Sequence, residues 1–122
     1  MSTMSLKQVY ERVTGCPLND WVDILNDKLN DYQIGSPSME EVVRNYAFPV
    51  LYDYNERVHS MKGNFTEDHR VPGDKERREM SEIVVALLIK RQIISEYDLE
   101  LPILDEVYNR LSELQNEKES KQ

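Results

Sequence analysis

Cys16 is the one cysteine among the 122 residues, so neither an internal disulfide nor a multi-cysteine metal framework can form. It precedes Pro17 and reads as a small, partly buried residue. Histidine occurs twice, and His59 and His69 lie ten residues apart with Asp68 beside the second. No spacing here presents several metal ligands from one rigid element, as an HExxH helix does. With no GxSxG, no glycine-rich phosphate loop and no base paired to Cys16 or a serine, nucleophilic catalysis has no visible machinery. Four glycines and five prolines are too few for a fold made of strands and turns. No apolar run reaches the ~18 residues of a membrane span. The opening "MSTMSLKQVYERV" has no uninterrupted apolar core of a signal peptide, so a cytoplasmic protein is expected.

What remains is rich in helix formers, and the apolar residues recur at helical spacing. Leu6, Val9, Tyr10 and Val13 mark a first helix, with Ser5 as its cap and Gly15 as its stop. Asn19 or Asp20 opens a second, whose stripe is Trp21, Ile24, Leu25, Leu29 and Tyr32, ended by Gly35. Ser38 and Glu41 form a capping box for a third, with Ser36 and Pro37 offering a competing start. Its stripe, Met39, Val42, Val43, Tyr46, Val50, Tyr54, Val58 and Met61, passes undisturbed through Pro49. A proline inside a straight helix costs about 3 kcal/mol, so the expectation is one helix bent there, or two abutting ones. Residues 64–75 read as a loop and Asp74 as the cap of a fourth helix. That helix carries "IVVALLIKRQII", the most apolar run, and is expected at the centre of the bundle. Asp98 marks a break and Pro102 the start of the last helix, with Leu104, Val107, Leu111 and Leu114 as a narrow seam. The expectation is an all-α, single compact domain of about five helices over residues 1–116, with a frayed tail at 117–122.

Charge is plentiful and uneven. The net charge is −8, and charged residues make up 31% of the chain. Residues 1–54 carry 8 acids and 4 bases, residues 55–91 carry 7 and 8, and residues 92–122 carry 8 and 3. Direct nucleic-acid binding is disfavoured, because phosphates demand a clustered cationic surface. Around the tyrosines that flank Pro49, only Arg44 and Arg57 could assist base stacking. Asp20, Asp23, Asp27 and Asp31 form one row at three- or four-residue steps on the second helix. Asp105, Glu106 and Glu113 lie away from the seam of the last. Such rows repeat every ~5–6 Å, coarser than the ~3.4 Å phosphate step of a DNA strand. Several helices side by side could still reach a duplex-like density, and the partner expected is a basic surface of another protein.

Two family patterns bear on this. Glu40 and Glu41 begin the EExxE signature of helical nucleoside-triphosphate pyrophosphohydrolases, but Arg44 stands where the third carboxylate belongs. Glu79 and Glu82 do not supply the later ExxD. In "AFPVLYDYNERVHSMKG" (47–63), Ala47, Pro49 and Tyr52, closed by Gly63, and later Asp98-Leu99, Asp105 and Leu111, the chain resembles Ocr-type antirestriction proteins of phages. That resemblance implies a small acidic helical dimer that imitates bent B-DNA and occupies the DNA groove of restriction enzymes. The shared positions are structural, so no site residue transfers from it. The chain departs from the family in its 15 lysines and arginines.

The sequence therefore points to a non-enzymatic acidic binding protein without metal or other cofactor, acting on a basic protein partner and not on membranes. The alternative is a dimerisation or adaptor module. Its interface would be Tyr52, Leu104, Val107 and Leu111.

Overall fold

The most apolar stretch of the chain forms the middle of the molecule. The computed structural model describes residues 6–31, 38–61, 71–94 and 103–120, and within them every regular element is helical. Helix α1 spans Leu6–Thr14 and α2 spans Asn19–Asp31. Helix α3 is a continuous helical run made of Met39–Glu41, a π-helical turn Val42–Ala47, and Phe48–Met61. Helix α4 is Asp74–Lys90 and α5 is Ile103–Ser120. Ser5, Tyr32, Gly35, Gly63, His69, Asp98 and Pro102 lie outside the described residues. So does most of the expected 64–75 loop.

Helix α4 packs against each of the other four. Every residue from Met80 to Ile89 is buried, which no amphipathic surface helix would show. Each fully buried aliphatic side chain there contributes roughly 1.5–3 kcal/mol. Around it, Val9 and Val13 of α1, Leu25 and Leu29 of α2, Leu51 and Tyr54 of α3, and Val107 and Leu111 of α5 complete one core. No helix among the described residues is long and apolar enough to cross a membrane.

Where the sequence points to a bend at Pro49, the structure shows a π-helical turn immediately ahead of it. The Phe48 N–H donates to the carbonyl of Val43, five residues back. A proline at 49 has no N–H to offer, and its ring crowds the carbonyl four residues earlier. A wider turn just before it accommodates both effects within one helix. Val42, Val43 and Ala47 stay buried through the turn, while Pro49 faces outward.

Three helix ends show the local chemistry. Ser38 Oγ accepts the Glu41 N–H at 3.2 Å, as the capping pattern requires. Helix α4 is capped differently from expectation. Gly73 is its N-cap, and the Glu76 carboxylate reaches back to the Gly73 N–H at 3.2 Å. Asp74 is freed to bond Tyr108 and Arg78 instead. At the far end of α4, Gln92 N–H donates to Ile89 and Ile93 N–H to Leu88, with Gln92 at φ 61°. This hydrogen-bond pair normally places glycine at the left-handed position. Gln92→Gly should therefore raise stability by about 1 kcal/mol, because a side chain there costs roughly 1–2 kcal/mol. Urea unfolding checks it. Helix α5 continues to Ser120, through most of the tail expected to fray, although its side chains are exposed from Asn116 onward.

Candidate functional site

Helix periodicity puts Trp21, Val22, Leu25 and Leu29 inward on α2 and leaves Asp20, Asp23, Asp27 and Asp31 all exposed. The row is real, but it is not uniformly bare. Lys90, at the end of α4, meets Asp23 at 2.9 Å. That bond holds the Lys90 ammonium above its ordinary range, with further support from Asp27. Arg91 donates to Asn26 Oδ1 at 2.7 Å and to Asn30 Oδ1 at 3.1 Å, so a second cation rests on the same helix. Asp20, Asp27 and Asp31 have no ion pair among the described residues.

The expected acidic face of α5 is more heavily compensated. Arg110 bridges Glu113 at 3.2 Å and Glu40 of α3 at 2.8 Å, and Arg44 reaches Glu40 from the other side at 3.2 Å. Glu113 is thus one end of an alternating chain of charges that ties α5 to α3. Asp105 is exposed at the rim of a groove, where its charge helps hold the Arg78 guanidinium. Glu106 is exposed and has no ion pair among the described residues. The two faces form separate surfaces, because α2 and α5 both pack on α4 and have no substantial contact with each other.

The candidate apolar interface divides. Val107 and Leu111 are 0% exposed and belong to the core of a single chain, so they offer nothing to a second copy. The seam turns inward because α5 must cover α4, its most extensive neighbour. Leu104 is half-buried. Tyr52 is half-buried too, edge-on to Phe48 with Lys118 over its ring at 4.0 Å. Among the described residues, Val71 is the large hydrophobic side chain left exposed, at 44%.

The sequence pattern brought up Glu79 and Glu82 only as a failed metal motif and did not show that carboxylates of α4 turn inward. Glu76 and Glu82 are buried and Glu79 is half-buried, one at each three-residue step. Glu76 Oε1 meets His59 Nε2 at 2.7 Å. Burial would raise the Glu76 carboxyl, but bonds from its own backbone N–H, from His59 and from the Gly73 N–H bring it below the usual range. Tyr54 donates its hydroxyl to Glu79 and stacks edge-on against Trp21 at 5.2 Å. Burial and the Glu79 carboxylate hold that phenol far above its ordinary value. Burial also pushes the Glu82 carboxyl up, against the pull of Arg12 at 3.3 Å. The signal was present in the sequence, since Glu82 sits between Met80 and Ile83 at the edge of the most apolar run.

Of these side chains, Glu79, Glu82 and Arg12 border a groove of about 490 Å³, together with Leu104 and Tyr108. No group of three or more His, Cys, Asp or Glu that could hold a metal ion occurs among the described residues. His59 is engaged by Glu76, and Glu40 by two arginines. No protein-family model, curated protein or solved structure matches the chain. The resemblance to Ocr-type proteins therefore rests on the residues quoted for it.

Proposed function

We propose that the protein is a non-enzymatic acidic helical binding protein, which presents the aspartate row of α2 to a cationic surface of another protein. The observation that carries this reading is that Asp20, Asp27 and Asp31 share one exposed face with no ion pair among the described residues. Exposed charges cost a fold little and contribute little to its stability, so three of them left bare are available to a partner. The groove of a DNA-binding enzyme, such as a restriction-modification complex, is the cationic surface that the Ocr-type resemblance favours. The compensated face of α5 would then contribute Glu106 and Asp105 at most, and the protein would imitate DNA charge over a short stretch.

Charge-steered binding weakens with salt, because exposed charges are screened beyond ~10 Å at 0.1 M. In competition with duplex DNA for a restriction-modification enzyme, the wild type should inhibit at low salt and lose most inhibition at high salt. The triple variant Asp20→Asn/Asp27→Asn/Asp31→Asn should inhibit on the order of tenfold less at low salt, chiefly through slower association. Its melting temperature should not fall. Equal inhibition by the two proteins, or none by the wild type at either salt concentration, would end this reading.

A further inference from the structure

The groove between α4, the first half of α5 and Arg12 of α1 has a different chemistry from the α2 face. Among its lining residues is Glu82, a residue 6% exposed within the buried run from Met80 to Ile89. The counter-charge to Glu82 is Arg12, which comes from another helix and has a side chain 57% exposed. Arg12 is thus a largely hydrated guanidinium at the groove, one that can leave Glu82 only if another cation takes its place. The other two cations of the groove are already bonded to its own carboxylates, Arg78 to Asp74 at 2.9 Å and Lys75 to Glu79 at 4.0 Å. Leu104 supplies apolar wall, and beside it the Tyr108 ring already carries the Arg78 guanidinium at 4.5 Å, so the site accepts cations on an aromatic face. The size is within the ~300–1,000 Å³ typical of small-ligand sites.

We propose that this groove binds a guanidinium or primary ammonium group carried on an aliphatic stem, which replaces Arg12 as the partner of Glu82. An anion is the wrong occupant, because it would meet Glu79, Glu82, Asp74 and Asp105 while competing for cations already bonded. A cation gains a desolvated carboxylate, and its methylenes gain Leu104 and Tyr108. Arg12 is then a built-in competitor that occupies the site in the free protein.

The test is an NMR titration of the full chain with two probes, agmatine and a short blocked peptide containing a single arginine, with pentanoate as the anionic control. Agmatine should give saturable shifts at Arg12, Glu82, Leu104 and Tyr108. Response to the peptide as well would assign the site to a protein-borne side chain; response to agmatine alone would assign it to free small amines. Arg12→Ala should bind the cation on the order of tenfold more tightly, since the internal competitor is gone, and Glu82→Gln about tenfold or more weakly. Arg12 is exposed, so its variant gives a result even if Glu82→Gln folds poorly. No saturable shift with either cation in wild type and Arg12→Ala would overturn the proposal. So would an equal response to pentanoate, or unchanged affinity in a folded Glu82→Gln.

Discussion

Val107→Asp or Leu111→Asp should leave the chain unfolded at room temperature instead of yielding a soluble folded monomer. Both side chains are 0% exposed and pack within the core of one chain. Losing a buried Leu or Val side chain costs about 2–5 kcal/mol through lost transfer and the space left behind. An unpaired carboxylate in that space costs several kcal/mol more, or forces water into the core. Together these approach or exceed the roughly 5–15 kcal/mol that holds a domain folded. Circular dichroism and size-exclusion chromatography decide the matter. A variant that keeps its helices and only changes apparent mass would mean that the α5 seam is an interface after all. The same substitutions at Leu104 or Tyr52, both half-buried, should be tolerated far better.

The second large effect is expected at Glu76, which joins the end of α3 to the start of α4. Glu76→Ala removes the acceptor for the Gly73 N–H and the partner of His59 at once. Loss of a helix cap costs about 1 kcal/mol, and breaking a buried pair costs up to 3–5 kcal/mol. Because His59 and Glu76 keep some contact with water, a total below that sum, about 2–4 kcal/mol, is expected, measurable by urea unfolding at neutral pH. Its sign with pH follows from linkage. The folded Glu76 carboxyl lies below its ordinary value of ~4.3, so its contribution is full above that pH and disappears as pH falls through the folded pKa. The gap between wild type and Glu76→Ala should therefore narrow in acid. Glu82 has the opposite sign. Burial raises its folded pKa, so it favours folding while protonated, and that contribution is lost as pH climbs from ~4.3 through the raised value. Glu82→Gln should consequently steepen the acid loss of stability, because it removes the group that gains on protonation. A gap at Glu76 that widens in acid would contradict the pairing with His59.

The helices themselves were legible because each required only local information. Apolar spacing of three and four residues located all five stripes. Ser38 and Gly15 act at the termini where a cap and a stop were expected, since caps operate over one turn. The run "IVVALLIKRQII" pointed to the central helix, although α4 ends at Lys90 and the last four residues of the run lie beyond it. The cap at Asp74 was misplaced by one residue, because Gly73 borrows the Glu76 side chain in place of its own. Gln92 could not be found at all by residue preference, since the left-handed position there is imposed by the hydrogen bonds that end α4.

What the sequence determined alone is therefore the all-α class, the central place of α4 and the row of aspartates on α2. Those follow from periodicity, which says which residues share a face. The tertiary structure decided what each face meets. Lys90 and Asp23, which pair, lie 67 residues apart, and Arg12 reaches Glu82 from a different helix. The turn of Val107 and Leu111 into the core likewise depended on the packing of α5 over α4. Periodicity is a property of one helix, whereas neutralisation and burial belong to pairs of helices, and no spacing along a single stretch records them.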